Sequence, residues 1–140
     1  MQIKIAKNDD EIMKCFPTMS ELRPHLKKKN FLSQIRRQET QGYRLLFYEE
    51  DNKVIAIAGF RLTENLFNGK FVYVDDLITS ESERSKGYGD KLLKWIAEFA
   101  KENNCNNVEL DSGVQRFDAH RFYLRNKMKI SSHHFSLDVK

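Results

Sequence analysis

Residues Arg84 to Ala100 read RSKGYGDKLLKWIAEFA, with two glycines one residue apart ahead of a run with helical spacing. Apolar residues recur along that run at intervals of three and four, which predicts an amphipathic helix ending near Asn103. The first amides of a helix have no partner within it and attract anions. Glycine at Gly87 and Gly89 leaves room for a bulky anion to approach them. The stretch therefore predicts a phosphate-binding turn.

The side chains around the two glycines agree with an anion site. Arg84 and Lys86 add positive charge at its rim, and Ser85 adds a hydroxyl donor. The spacing matches neither the Walker frame nor the dinucleotide fingerprint, because Lys91 falls inside the helix and a third glycine is lacking. Two interpretations stay open at this point: a phosphate seat, or glycines that only shape a strand-to-helix turn.

Outward from this stretch, strand-like and helix-like segments alternate along the chain. Six runs rich in β-branched and aromatic residues predict strands: QIKIA, YRLLFYE, KVIAIAGFRL, KFVYVDDLIT, NNVELDS and MKISSHHFSLDV. Besides the glycine-led helix, three segments predict helices: EIMKCF, PHLKKKNFLSQIRRQE with Pro24 as its first residue, and QRFDAHRFYLRNK. The order β-α-α-β-β-β-α-β-α-β predicts a mixed sheet with helices on both faces.

Size and composition limit the function further. With 140 residues, 40% of them hydrophobic, the chain predicts a single domain over residues 1–140. The net charge of +4 suits a phosphate-bearing ligand as well as nucleic acid. No run is long and apolar enough to span a bilayer, which predicts a cytoplasmic protein without a membrane partner. Cys15 and Cys105 lack the spacing of a metal or redox pair, and no metal is expected.

Two motifs at a suitable separation give the chain a family resemblance. The pattern R-x-x-G-x-G is formed by Arg84, Gly87 and Gly89, and the pattern A-x-x-F-Y by Ala119, Phe122 and Tyr123. Together with the element order, they resemble the GNAT superfamily of acyl-CoA-dependent N-acetyltransferases. The resemblance implies an α/β (α+β) fold with a mixed, mainly antiparallel central sheet of six to seven strands flanked by four helices. It covers essentially the whole chain.

The resemblance also implies where acetyl-CoA binds. Backbone amides of the glycine turn would hold the pyrophosphate of coenzyme A, through Arg84, Ser85, Lys86, Gly87, Tyr88 and Gly89. The preceding strand end, formed by Leu77, Ile78 and Thr79, would pair with the pantetheine arm as an added strand. Tyr123 would lie near the thioester sulfur.

Two positions depart from the family pattern. Arg116 replaces a frequent Asn, and Lys127-Met128 replaces a frequent Gly-Phe. Asn126 is expected to supply the left-handed turn there.

The implied reaction is transfer of an acetyl group from acetyl-CoA to a primary amine, by direct attack in a ternary complex. A backbone amide, from Leu77 or Ile78, would polarise the thioester carbonyl. The hydroxyl of Tyr123 would protonate the leaving thiolate. A non-catalytic acyl-CoA-binding module is the alternative, which Tyr123 and the acidic pair argue against. A nucleic-acid partner is disfavoured, because no aromatic-basic RNA-binding motif is present.

Asp75 and Asp76, which precede Leu77, are the candidates for the acceptor side of the site. Either could receive the amine proton, directly or through water, or simply hold the ammonium group; the alternative for each is a local cap or an ion pair with Lys or Arg. Consecutive strand residues point to opposite faces, so only one should reach the acceptor unless a bulge intervenes. The four histidines are further titratable candidates: besides His25, His120 lies one turn before Tyr123, and His133 and His134 lie in the last predicted strand.

The acceptor itself is not identified by the sequence beyond a small-molecule or peptide amine. In the family the second predicted helix often lines the acceptor site, which makes Phe31, Ile35 and Glu39 candidates for specificity. Whether the acyl group is only acetyl also stays open. Dimers are frequent in the family, so a homodimer is one expected assembly, although no sequence feature identifies an interface.

Overall fold

The structure is a computed structural model that describes residues 2–140. These residues divide into two compact units between Glu109 and Leu110, and each unit is described separately. The strands are β1 (Gln2–Ile5), β2 (Tyr43–Glu50), β3 (Lys53–Asn65), β4 (Gly69–Thr79) and β5 (Asn107–Leu110). The helices are α1 (Asp9–Lys14), α2 (Phe16–Leu22), α3 (Lys28–Glu39), α4 (Tyr88–Glu102) and α5 (Phe117–Arg125).

A single mixed sheet organises the first unit, with strand order β1-β2-β3-β4-β5. The pairings β1–β2, β2–β3 and β3–β4 are antiparallel. The amide of Asn106, just before β5, donates to the carbonyl of Lys70 near the start of β4 at 2.8 Å. The two strands therefore begin side by side and run parallel, as expected for strands joined through a helix. The predicted mixed, mainly antiparallel sheet is confirmed.

The two faces of the sheet carry different helices. Tyr43, Leu45 and Phe47 alternate along β2 and belong to one buried cluster with residues of α1, α2 and α3. On the opposite face, Phe60 of β3 packs against Trp95 and Phe99 of α4, with ring centroids 6.1 and 5.2 Å away. Burial on both faces explains why β2 and β3 read as nearly continuous apolar runs. The prediction of helices on both faces is confirmed.

The early helices differ from the sequence prediction in number and position. Asn8 caps α1 through a capping box with Glu11, as its residue type predicts. A second helix, α2, follows at once with Pro17 in its first turn, where proline loses no helical hydrogen bond. The prediction that Pro24 begins the next helix is wrong: residues 23–27 form a turn, and α3 begins at Lys28.

The second unit contains α5 and an irregular C-terminal stretch. The predicted last strand is wrong, because residues 128–140 have no regular secondary structure and expose Ile130, Phe135, Leu137 and Val139. A segment of alternating apolar residues forms a strand only where a neighbouring backbone supplies hydrogen-bond partners. The described residues therefore form five strands and five helices, which corrects the expected six to seven strands and four helices.

In the part of the chain that the structure describes, no helix is long and apolar enough to cross a membrane.

Candidate active site

A bulge in β4 decides which way the two aspartates point. Val74 pairs with Phe60 of β3, and Asp76 pairs with the adjacent Gly59, so Asp75 is the extra residue. In a regular strand Val74 and Asp76 would share a face, because side chains alternate. The bulge instead turns Asp76 toward the face covered by α2 and α3.

Both aspartates line a cavity of about 380 Å³ between the sheet and helices α2 and α3. Its lining residues are Met19, Arg23, His25, Leu26, Phe31, Gln34, Ile35, Gln38, Tyr43, Asp75 and Asp76. A cavity of this size, with an apolar wall and a few polar groups, is typical of a small-molecule site.

Asp76 lies at the centre of a hydrogen-bonded group on the cavity wall. The Tyr43 hydroxyl donates to its Oδ2 at 2.8 Å, and Nε of Arg23 donates to its Oδ1 at 3.1 Å. Only 13% of the Asp76 side chain is exposed. Burial raises the pKa of the Asp76 carboxyl, and the hydrogen bond from Tyr43 and the charge of Arg23 partly oppose that rise. A carboxylate with a raised pKa is a stronger proton acceptor.

Asp75 is held differently, although it lines the same cavity. Arg61 donates two parallel hydrogen bonds to its carboxylate, from Nε to Oδ2 at 2.9 Å and from Nη2 to Oδ1 at 2.8 Å. The pKa of Arg61 is raised, chiefly by this hydrogen bonding to Asp75. Both Asp75 oxygens thus belong to a bidentate ion pair with one arginine, whereas the Asp76 oxygens are shared between a neutral phenol and an arginine.

Tyr43 and Gly59 fix the position of the Asp76 carboxylate. The Tyr43 side chain is almost fully buried, and this burial, together with the Asp76 charge, raises the pKa of its phenol well above the usual value. The phenol is therefore a neutral donor. A Cβ added at Gly59 would overlap the Tyr43 hydroxyl and lie 2.6 Å from Asp76 Oδ2. The close approach of these groups requires glycine at this position.

The glycine turn begins α4 as the sequence predicts. Gly87 is the N-cap, with φ +84°, and the helix starts at Tyr88 without a side-chain cap. A Cβ added at Gly87 would meet no atom within 4 Å. The space beside it is open, so it is the left-handed backbone, not crowding, that favours glycine here. As in any helix, the amides of the first turn of α4 have no acceptor within the helix itself.

Arg84, Ser85 and Lys86 are exposed, whereas Tyr88 is half-buried with its ring 4.7 Å from that of Tyr48. Nε of Arg84 donates to the carbonyl of Thr79 at 3.3 Å, and Lys86 pairs with Glu83 at 2.9 Å. Ser85 adopts a left-handed φ of +67°. The Tyr88 hydroxyl donates to Glu50 at 3.0 Å.

The end of β4 has one edge beyond the reach of β5. Leu77, Ile78 and Thr79 pair with β3 on one side. On the other side β5 begins beside Lys70 and, with four residues, extends only about 13 Å, whereas Leu77 lies about 23 Å along β4. The estimated length of β5 therefore leaves the second edge of Leu77–Thr79 unpaired by that strand.

Tyr123 belongs to the second unit. It lies on α5, half-buried, with its ring 5.4 Å from that of Phe122. Burial raises the pKa of its phenol, and the charge of Arg116 partly opposes this. The expectation that Asn126 supplies the left-handed turn after α5 is wrong: Lys127 has φ +66°, whereas Asn126 has φ −89°. Lys127 occupies the position where the family pattern has glycine.

The histidine candidates do not form a cluster. His120 has Nε2 2.8 Å from the carbonyl of Gly113, and Nδ1 of His134 lies 3.5 Å from Asp111. The expectation that His133 and His134 lie in a last strand is wrong, because that strand does not form. Within residues 2–140, no group of three or more possible metal ligands occurs.

Sequence reasoning found part of this cavity and missed the rest. Phe31 and Ile35 line it, whereas Glu39 binds Arg36 instead. Arg23, Tyr43 and Gly59 were missed, because their meeting depends on the bulge and on tertiary packing.

A comparison with protein families matches residues 7–127 to the acetyltransferase (GNAT) family. YhdJ of Bacillus subtilis, described as an uncharacterized N-acetyltransferase, is 32% identical over 124 residues, which cover 88% of this chain and 87% of that protein. An aminoalkylphosphonate N-acetyltransferase of Salmonella typhimurium is 28% identical over 95 residues, 67% of this chain and 60% of that one.

Among solved structures, the aminoglycoside N-acetyltransferase AAC(6')-Iy in complex with a CoA-containing bisubstrate analogue has a TM-score of 0.86. It covers 99% of this chain and 97% of its own, at 12% identity, and so supports the fold. The family match and the relatives agree with the two sequence motifs. The chain therefore belongs to the GNAT acetyltransferase family, as an N-acetyltransferase that uses acetyl-CoA as its cosubstrate.

Proposed function

We propose that the chain acetylates a primary amine of a small molecule by direct attack on acetyl-CoA, with both substrates bound together. The position of Asp76 carries the proposal. Its carboxylate lines the cavity, and the chain runs from it directly into Leu77–Thr79, the backbone expected to pair with pantetheine. An amine held by Asp76 would thus lie beside the thioester. The relatives named for aminoalkylphosphonate and aminoglycoside acetylation support a small acceptor.

Asp76 is assigned as the acceptor-side base. An ammonium ion in the cavity loses a proton to its carboxylate, directly or through water, and the neutral nitrogen then attacks the thioester carbonyl. A C–N bond forms and the C–S bond breaks. The raised pKa of Asp76 supports this role, whereas the bidentate pairing of Asp75 with Arg61 suits a structural role.

Two further groups complete the reaction. Consecutive amides of β4 point to opposite edges, so one of the Leu77 and Ile78 amides points away from β3 and can donate to the thioester oxygen. Tyr123 is assigned as the acid that protonates the departing thiolate, on the strength of the A-x-x-F-Y motif. Its raised pKa keeps the phenol protonated at neutral pH.

The glycine turn is assigned to the pyrophosphate of acetyl-CoA. The open space beside Gly87 and the positive end of the α4 helix dipole fit an anionic ligand. Arg84, Ser85, Lys86, Tyr88 and Gly89 form the rest of this site.

Thiol release from acetyl-CoA, followed with small amines and with peptides that have a free amino group, tests the proposal. We expect turnover with small amines and intersecting initial-rate patterns, as direct transfer in a ternary complex requires. Parallel patterns would indicate an acetyl-enzyme instead. Binding of acetyl-CoA without turnover on any amine would favour the non-catalytic module.

We also propose a cytoplasmic location, where acetyl-CoA is available, and a homodimer as the assembly. Cell fractionation tests the location, and light scattering of the purified protein tests the dimer.

A further inference from the structure

Both members of an ion pair, Arg23 and Asp76, line the acceptor cavity. Arg23 is the C-cap of α2, and 41% of its side chain is exposed. Its Nε donates to Asp76 Oδ1 at 3.1 Å, and its Nη2 donates to the backbone carbonyl of Asp75 at 2.9 Å. Positive and negative groups are therefore held side by side on one wall.

The guanidinium uses only one of its edges in these contacts. Nε and Nη2 form the side edge, which faces the two aspartates. Nη2 is also 3.1 Å from Asp76 Oδ1, so Nε and Nη2 are both occupied by the aspartates. Nη1 makes no hydrogen bond to any residue in the range 2–140, so the outer edge of the guanidinium, at Nη1, retains N–H donors. A carboxylate or phosphonate oxygen is a suitable acceptor for these donors.

Neighbouring groups on the cavity wall add donors and no further acids. Gln34 donates to Oε1 of Gln38 at 3.0 Å, and the Gln38 amide nitrogen makes no hydrogen bond to any described residue. His25 also lines the cavity. The only acids in the lining are Asp75, gripped by Arg61, and Asp76.

We propose that the acceptor is a zwitterion: a primary amine that also carries an acidic group, a carboxylate or a phosphonate. This proposal rests on the proposed function, since it assumes that Asp76 receives the amine. The ammonium group lies at Asp76, while the acidic group binds the outer edge of Arg23. A diamine would instead place its second charge against Arg23, and a plain amine would leave that edge unused.

The test compares acceptors of similar size with purified protein and saturating acetyl-CoA. 3-Aminopropanoate and 2-aminoethylphosphonate carry the acidic group, whereas propylamine lacks it and 1,3-diaminopropane carries a second amine. Since a charge-assisted pair contributes about 10-fold to 100-fold, we expect kcat/KM for at least one acidic acceptor to exceed that for propylamine by this factor. Comparing kcat/KM for the two acidic acceptors shows whether the site prefers a carboxylate or a phosphonate.

Arg23→Gln separates recognition of the acid from the chemistry. Removing Arg23 also alters Asp76, but that change affects every acceptor, so it cancels in the ratio of kcat/KM for the acidic acceptor to that for propylamine. We expect this ratio to fall toward one in Arg23→Gln. It should stay unchanged in the matched control Arg37→Gln, an exposed arginine on α3 outside the cavity.

Three outcomes would overturn the zwitterion proposal. A parent ratio of one or less, or a preference for the diamine, would do so while leaving amine acetylation intact. A ratio that survives in Arg23→Gln would place acid recognition elsewhere. If no amine is acetylated although acetyl-CoA binds, the proposed function fails, and the acceptor class with it.

Discussion

The cavity around Asp76 and the glycine turn at residues 84–89 are built on opposite principles. In the cavity, buried side chains hold each other in place, with Asp76 fixed between Tyr43 and Arg23. In the turn, the shape is set by the left-handed backbone of Gly87, and the side chains of Arg84, Ser85 and Lys86 are exposed. Substitutions in the cavity should therefore alter proton transfer, whereas those in the turn should alter affinity for acetyl-CoA.

The largest effect is expected for Asp76→Asn. Loss of the base should lower kcat/KM by about 10²–10⁴-fold, with little change in acetyl-CoA affinity. Between the pKa of Asp76 and that of the acceptor amine, near 10, the loss should be greatest at the low-pH end, because fewer amines are neutral there. Rates measured across pH, with calorimetry for acetyl-CoA, check this.

Asp75→Asn is the matched control for that variant. Its carboxylate is bound by Arg61, so the pH dependence should remain close to that of the parent. If both variants kept the parental profile, the proton would have to go to water or a histidine.

Tyr123 belongs to neither region and provides a reference for a purely chemical defect. Tyr123→Phe keeps the ring for packing and removes the proposed acid, so turnover should fall by about 10²-fold with acetyl-CoA affinity preserved. Steady-state kinetics with separately measured binding check this. Turnover within about threefold of the parent, with chemistry rate-limiting, would leave Tyr123 as a packing residue.

Gly87→Val tests the glycine turn, the second of the two regions compared. Its side chain would project into the open space where the pyrophosphate is expected and would disfavour the φ of +84°. We expect acetyl-CoA affinity to fall by about tenfold or more. Gly42→Val is a matched control, since Gly42 has a similar φ of +93° at a turn before β2. An equal loss of affinity in both variants would indicate general strain.

The sequence predicted best the features that depend on local patterns. The α4 helix, the turn at Gly87 and the strands β2, β3 and β4 follow from residue spacing and from left-handed residues such as Asp51 and Asn52. The final strand failed because alternation alone does not provide a pairing partner, and Pro24 failed because proline also suits a loop.

The predicted site was less complete because it depends on long-range contacts. Asp75 and Asp76 stood out as a pair, but nothing local shows that a bulge opposite Gly59 and Phe60 separates their roles. Arg23 and Tyr43 lie 53 and 33 positions from Asp76 in the chain. Contacts over such separations leave no periodic signal in the sequence.

Tyr43→Phe should change the pKa of the proposed base, Asp76, without removing its carboxylate. The Tyr43 hydroxyl lowers the pKa of Asp76, so its removal should raise that pKa further. Because the ionised carboxylate is the active form, the acid limb of the pH–rate profile should move to higher pH. Tyr48→Phe, a buried tyrosine on the other face of β2, should leave that limb in place. An unmoved limb in Tyr43→Phe would mean that Asp76 does not govern it.

The smallest effect is expected for the double variant Arg84→Ala with Lys86→Ala. Both side chains are exposed, and Lys86 is already paired with Glu83, so their attraction to the pyrophosphate is screened by solvent. We expect a loss of acetyl-CoA affinity of only about threefold to tenfold at low ionic strength. The loss should shrink as salt is added, because salt weakens the same attraction in the parent. Titrations with acetyl-CoA at two salt concentrations separate the effect of charge from that of packing. A loss of affinity that does not change with salt would mean that the two side chains shape the turn. The loss of affinity in Gly87→Val, which comes from the backbone, should persist at both salt concentrations.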